Sequence, residues 1–106
     1  RLTVQEAFSL IHGAGGIAVL AHPGADGIID TLPQLKSWGL DGVEIMHPSH
    51  STSTRRRLRQ IAKRLGLVVT GGSDFHTPAS PHSIGYCGIT EEAFDRVRAR
   101  AAKRAA

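Results

Sequence analysis

The sequence predicts an α/β fold in which parallel strands alternate with helices. Short apolar runs rich in β-branched residues, at 16–21, 41–46 and 67–70, have the length and continuity of buried strands. Amphipathic stretches bounded by helix start and stop signals separate them. The runs recur about every 25 residues, the repeat of right-handed β-α-β units and a parallel sheet.

The elements follow in order. Thr3-Val4-Gln5-Glu6 has the form of a capping box. Ala7, Phe8, Leu10 and Ile11 then make an amphipathic helix that Gly13 can close. The first strand, 16–21, is continuous in apolar residues, predicting burial on both faces, and ends at His22-Pro23-Gly24. The glycines at 13, 15 and 16 precede this strand, whereas a dinucleotide-binding fingerprint must follow one, so that reading is rejected. A second helix is expected over 28–38, with Pro33 in its first turn and Ile29, Leu32, Leu35 and Trp38 on its core face. Gly39 ends it, and the strand at 41–46 runs into His47-Pro48-Ser49-His50. The polar run 51–54 caps a third helix through Leu65, with Leu58, Ile61, Ala62 and Leu65 inward and Gly66 closing it. The strand 67–70 leads into Gly71-Gly72-Ser73-Asp74-Phe75-His76. A loop and a short segment at 84–89 precede a last helix, capped by Thr90 and carrying Glu91 and Glu92 in its first turn.

Length and composition bound the rest. A chain of 106 residues builds one domain around one core. With Arg1 in place of an initiating Met, a processed or excised piece is the expectation, and no charged-then-apolar segment near the start predicts a signal peptide. The apolar runs are too short to span a bilayer. Cys87 is the single cysteine, so no internal disulfide forms; this fits a reducing, cytoplasmic setting. The net charge of +4, with Lys and Arg gathered at 55–64 and 96–104, favours phosphate-bearing partners without being a nucleic-acid signature.

The chemistry collects where strands end. His22 follows the first strand, His47 and His50 the second, and Asp74 and His76 the third. In parallel α/β proteins ligands bind at the carboxyl ends of strands, so all five residues fall on one edge of one sheet. If the chain stays extended past the third strand, Asp74 and His76 point to the same side and can share one cation. His22, Asp74 and His76 form an imidazole and carboxylate set suited to Zn, Mn or Fe. His50 stands at the mouth of this site, where it can hold a substrate phosphate or protonate a leaving group. Glu44 lies within its strand with its facing undetermined. Gly71-Gly72-Ser73 makes either an anion-binding nest or a simple turn. The run Arg55-Arg56-Arg57 reads as a solvated basic face, Cys87 as a small packed residue and His82 as loop surface.

These residues carry a resemblance. Val19-Leu20-Ala21-His22-Pro23-Gly24, Gly42-Val43-Glu44-Ile45 with Pro48-Ser49-His50-Ser51, and Gly71-Gly72-Ser73-Asp74-Phe75-His76 resemble the later motifs of the PHP (polymerase and histidinol phosphatase) family. The similarity covers about residues 10–90 and is nearest the family's stand-alone metal-dependent phosphoesterases. It implies a distorted (β/α)7 barrel with two or three metal ions at its C-terminal mouth. His22 then matches the family's lone ligand histidine, and Asp74 and His76 its closing Asp-x-His pair. His47 fills a position the family often gives to an aromatic residue, so it is expected to be wall and not ligand. The opening His-x-His pair of the family does not occur here. Residues 1–106 are therefore expected to form one domain, the C-terminal portion of a barrel without its N-terminal half.

The expected function is metal-dependent hydrolysis of phosphate esters on small nucleotides or nucleic-acid ends. The metals would be Mn, Zn or Fe, and His50 and Ser49 would meet the substrate. Exonuclease chemistry on short nucleic acid, and a non-catalytic PHP-like binding module, are the alternatives. The partners expected are a phosphorylated small molecule or nucleotide and the missing half of the barrel, with no membrane. The 106 residues alone are expected to be inactive.

Overall fold

The computed structural model of the chain describes residues 1–24, 27–80, 82 and 85–105. Helix α1 spans Val4–Gly13 and begins as expected: the Thr3 hydroxyl accepts from the Glu6 N–H at 3.1 Å, and the Glu6 carboxylate accepts from the Thr3 N–H at 3.0 Å. Strand β1 covers only Val19–Leu20. A 3-10 turn, Ile28–Thr31, leads into α2 at Leu32–Ser37, followed by β2 at Gly42–Met46 and α3 at Thr52–Leu65. Strand β3, Val68–Gly71, and helix α4, Glu91–Ala105, complete the order. The Ser51 hydroxyl accepts from the Thr54 N–H to start α3, and Gly66 ends it at φ +71°, the left-handed region that suits glycine.

All three strands are parallel, in the order β1-β2-β3. Val19 pairs with Gly42, which pairs in turn with Val68; the register slips between Glu44 and Met46. Central β2 sends Val43 and Ile45 into a core with Ile29, Leu32, Leu40, Leu58, Ala62 and Leu67. Alternation turns Glu44 to the other face. Phe8 of α1 and Leu35, Ile61 and Leu65 of the helical layer pack against that core.

Three sequence expectations need correction. The strand expected at 16–21 shrinks because two side chains, Asp41 just before β2 and Glu44 at its middle, take over its hydrogen bonding. Asp41 Oδ2 accepts the Ala18 N–H at 2.8 Å, and Glu44 Oε1 accepts the His22 N–H at 2.9 Å. Val19, on this edge strand, is more than a third exposed, not buried on both faces. The helix expected over 28–38 breaks in two because Pro33 has no N–H for the Ile29 carbonyl; the Leu32 N–H bonds it instead with 3-10 geometry. Trp38 caps α2 and is 38% exposed, so it lies off the core face. Ile84 of the expected 84–89 segment lies outside the described residues.

Asp41, at the amino end of β2, ties the base of the sheet together. Besides Ala18 its carboxylate accepts from His12 Nε2 at 2.8 Å and from Arg100 and Arg104 Nε at 2.9 Å each. Burial alone would raise its pKa. The Ala18 N–H, Arg100, His12 and Arg104 outweigh that and hold it well below the usual carboxylate range.

Candidate metal centre at the carboxyl edge of the sheet

The opposite edge gathers the residues with chemistry. Because β2 is central, the loop after β1 brings His22 to one side and the loop after β3 brings Asp74 and His76 to the other. The stretch after β2 lies between. The His22 and His47 ring centroids are 5.1 Å apart, and those of His47 and His50 5.6 Å. His47 Nε2 stands 3.6 Å from Asp74 Oδ2, and His76 Nδ1 stands 3.5 Å from Asp74 Oδ1. One chain of close neighbours therefore runs His22, His47, Asp74, His76. Among the described residues, no group of three His, Cys, Asp or Glu side chains is close enough to hold one ion.

Local backbone sets these positions. His22 has φ +29° and Asp74 φ +58°, the positive-φ residues other than glycine among those described. Such conformations cost energy and cluster at functional sites. Asp74 therefore does not meet His76 through extended alternation, as the sequence suggested. The chain turns at Asp74, and His76 Nδ1 folds back to donate to the Asp74 carbonyl at 2.7 Å. That bond places the ring proton on Nδ1 and leaves the Nε2 lone pair available, the arrangement usual in metal-ligating histidines.

His50 is engaged differently from the expectation. It is buried, its Nδ1 donates to the Ile45 carbonyl at 2.8 Å, and its Nε2 accepts the Gly24 N–H at 3.0 Å. With both nitrogens occupied the ring clamps the His22-Pro23-Gly24 loop onto β2. A Cβ at residue 24 would overlap the His50 ring, so only glycine lets the backbone approach this closely. Ser49 is exposed at the mouth, with Oγ 2.7 Å from His47 Nδ1.

Other residues acquire roles that local sequence did not disclose. Glu44 faces the site and holds the His22 backbone, while its second oxygen lies beside Gly72. The Gly72 N–H donates to the Met46 carbonyl at 3.0 Å, tying the turn after β3 to the end of β2. Arg55 is half-buried, and its Nη2 donates to the His47 carbonyl at 2.9 Å and to Cys87 Sγ at 3.7 Å. The first arginine of the basic run is thus a buttress under His47. Cys87 is packed as expected. His82, half-buried, stacks on Tyr86 with centroids 4.0 Å apart.

A parallel sheet with imidazoles and a carboxylate gathered at its strand ends defines an α/β protein whose candidate ligand chemistry lies at the carboxyl edge. Known proteins narrow this further. The chain is 44% identical over 72 residues, 68% of its length, to a phosphoribosyl 1,2-cyclic phosphate 1,2-diphosphodiesterase of Eggerthella lenta. It is 37% identical over 81 residues to a 3',5'-nucleoside bisphosphate phosphatase of Chromobacterium violaceum, with 72% of the chain covered. Over 87 residues, 77% of the chain, it is 33% identical to a 5'-3' exoribonuclease of Haemophilus influenzae. A solved structure from Bifidobacterium adolescentis, provisionally described as a metal-dependent phosphoesterase, superposes with a TM-score of 0.79 at 32% identity. That match covers 92% of this chain and 36% of the other. No protein-family model matches. The chain belongs to the PHP-type phosphoesterase family, and its sheet corresponds to part of such a barrel. It spans 28%, 28% and 32% of the length of the three relatives named. Among the described residues no helix is long and apolar enough to cross a membrane.

Proposed function

We propose that the chain supplies the later part of a metal-dependent phosphoesterase site acting on phosphate esters of small nucleotides or nucleic-acid ends. His22, Asp74 and His76 are its ligands to a divalent ion. The observation that carries this reading is the coincidence of strained backbone with donor chemistry: the positive φ values at His22 and Asp74 fall on two of the expected ligands at the carboxyl edge. The donor set fits the group. Imidazole nitrogens and a carboxylate suit Zn, Mn or Fe, and the His76 tautomer leaves Nε2 to coordinate. Such an ion supplies an activated water at neutral pH and charge stabilisation for the phosphoryl oxygens.

The chain's own residues do the rest. Glu44 fixes the His22 backbone, and His50 acts on the site through Gly24 by holding the same loop. Ser49, exposed beside them, offers a hydroxyl to the substrate phosphate. Residues 1–106 form one domain, the C-terminal portion of the barrel, and the rest of the barrel brings the ligands for further ions. The setting is cytoplasmic, consistent with one unpaired cysteine. A second reading, exonuclease action on a longer substrate, is favoured by the likeness to the exoribonuclease.

Two measurements test this. The full-length protein should hold two or more divalent ions tightly and turn over a nucleoside 3',5'-bisphosphate or a short oligoribonucleotide; the preferred substrate separates the two readings. Absence of bound metal and of turnover would leave a non-catalytic binding module. The 106-residue chain with added Mn or Zn should be catalytically silent, and activity equal to the full-length protein would show the site to be complete within it.

A further inference from the structure

We infer that His47 is a positioning residue of this site, a buried hydrogen-bond donor that orients the Asp74 carboxylate toward its metal. The inference rests on the reading of Asp74 as a ligand and deepens it. His47 is 6% exposed. Its Nδ1 accepts the Ser49 N–H at 3.0 Å, so in the neutral ring the proton sits on Nε2. That Nε2 is buried and has no hydrogen-bond partner among the described residues. It points at Asp74 Oδ2 across 3.6 Å, just beyond hydrogen-bond reach.

A buried donor left unpaired is costly, and the carboxylate it faces is the acceptor that removes the cost. Closing the gap takes a few tenths of an ångström at a residue whose side chain is half exposed. The donor is held firmly from behind: Arg55 Nη2 bonds the His47 carbonyl, Ser49 holds Nδ1, and the His50 ring lies against it. The tautomer also decides between two roles. While Ser49 engages the Nδ1 lone pair, Nε2 carries a proton and is not itself a ligand. His47 therefore serves the centre through Asp74, as hydrogen-bonded groups behind metal-bound carboxylates generally do.

The experiment uses two substitutions and one spectroscopic measurement. His47→Phe keeps an aromatic ring and removes the donor; His47→Gln keeps an N–H at similar reach. Affinity for Zn²⁺ alone is measured by calorimetry on the wild type, both variants and Asp74→Asn. We expect His47→Phe to weaken zinc binding about 10–100-fold, with His47→Gln restoring most of it. If His47→Phe binds zinc as the wild type does while Asp74→Asn has lost it, the inference falls and the metal site stands. If Asp74→Asn leaves zinc binding unchanged, the metal site itself falls. Long-range ¹H–¹⁵N NMR of the wild type and of Asp74→Asn then reads the hydrogen bond without metal and without substituting His47. An Nε2–H tautomer for His47, with ring nitrogen shifts that move in Asp74→Asn, upholds the pairing; an Nδ1–H tautomer overturns it.

Discussion

The two ends of the sheet each carry an aspartate, and the contrast between them separates what holds the molecule together from what is left open for a ligand. Asp41 at the amino end is fully buried, with all its partners within 2.9 Å. Asp74 at the carboxyl end has a side chain 49% exposed, a positive φ, and histidine nitrogens no nearer than 3.5 Å. Asp41 joins α1, the start of β1, β2 and α4, and no lone pair is left over. Asp74 joins little, and its oxygens stay available. The base of a parallel α/β barrel reads as stability and the carboxyl mouth as chemistry; in this chain the division is drawn between two residues of the same type.

The sharpest way to break the contrast is Asp41→Asn. Removing the charge leaves Arg100 and Arg104 facing a neutral amide, and one amide N–H must point at a former donor. Breaking a buried pair of this kind costs about 3–5 kcal/mol, so chemical denaturation should show the largest loss of any single change discussed. The acid limb of stability sharpens the same point. The folded pKa of Asp41 lies below its unfolded value of about 3.9. Its contribution is therefore complete above that value and is lost only as pH falls through the folded pKa. Melting curves from pH 7 down to about 5 should show no loss on its account, and the loss below pH 4 should shrink in Asp41→Asn. An Asn variant as stable as the wild type would mean that the network at the base is ornamental.

An intermediate effect belongs to Gly24→Ala. An added Cβ would stand 2.7 Å from His50 Nε2, where the backbone N–H now bonds. Overpacking of this sort costs about 1–3 kcal/mol, and it displaces the loop that carries His22. The expected result is a moderate drop in melting temperature together with weakened zinc binding. A drop in melting temperature with zinc binding unchanged would detach the His50 clamp from the site.

How far the sequence discloses each end follows from the range of the interactions involved. The capping box at Thr3, the Ser51 cap and the Gly66 stop are settled within four residues, and all are found where the pattern puts them. The strand-to-loop order that lines His22, His50, Asp74 and His76 along one edge is equally legible, because parallel β-α-β units admit few alternatives. What could not be read depends on partners far along the chain. Strand β1 is trimmed by Asp41 and Glu44, 23 and 22 residues from the N–H groups they accept. His50 turns away from the mouth because Gly24, 26 residues earlier, brings an N–H to its ring. His47 reads as wall from its place in the motif. Its unpaired Nε2 emerges only once β2 and β3 set it opposite Asp74.

The smallest effect on stability, and the most telling, is expected from Asp74→Asn. The carboxylate is half exposed, the His76 and His47 nitrogens stand 3.5 and 3.6 Å from it, and an amide oxygen can still accept from His47, so little native interaction is lost. The backbone at φ +58° is one that asparagine adopts at least as readily as aspartate. The two terms leave a change within about 0.5 kcal/mol of zero, typical of a surface substitution away from structural features. Metal affinity should nevertheless collapse, because the amide keeps the shape and loses the anionic ligand. Asp74→Ala removes the same ligand but also the side chain that tolerates the left-handed region. It should therefore lose stability that Asp74→Asn keeps, by about 1 kcal/mol. Denaturation midpoints and zinc calorimetry on the two variants separate these effects. Should Asp74→Asn destabilise the chain as strongly as Asp41→Asn, Asp74 would be a structural carboxylate like its counterpart, and the division between the two ends of the sheet would be lost.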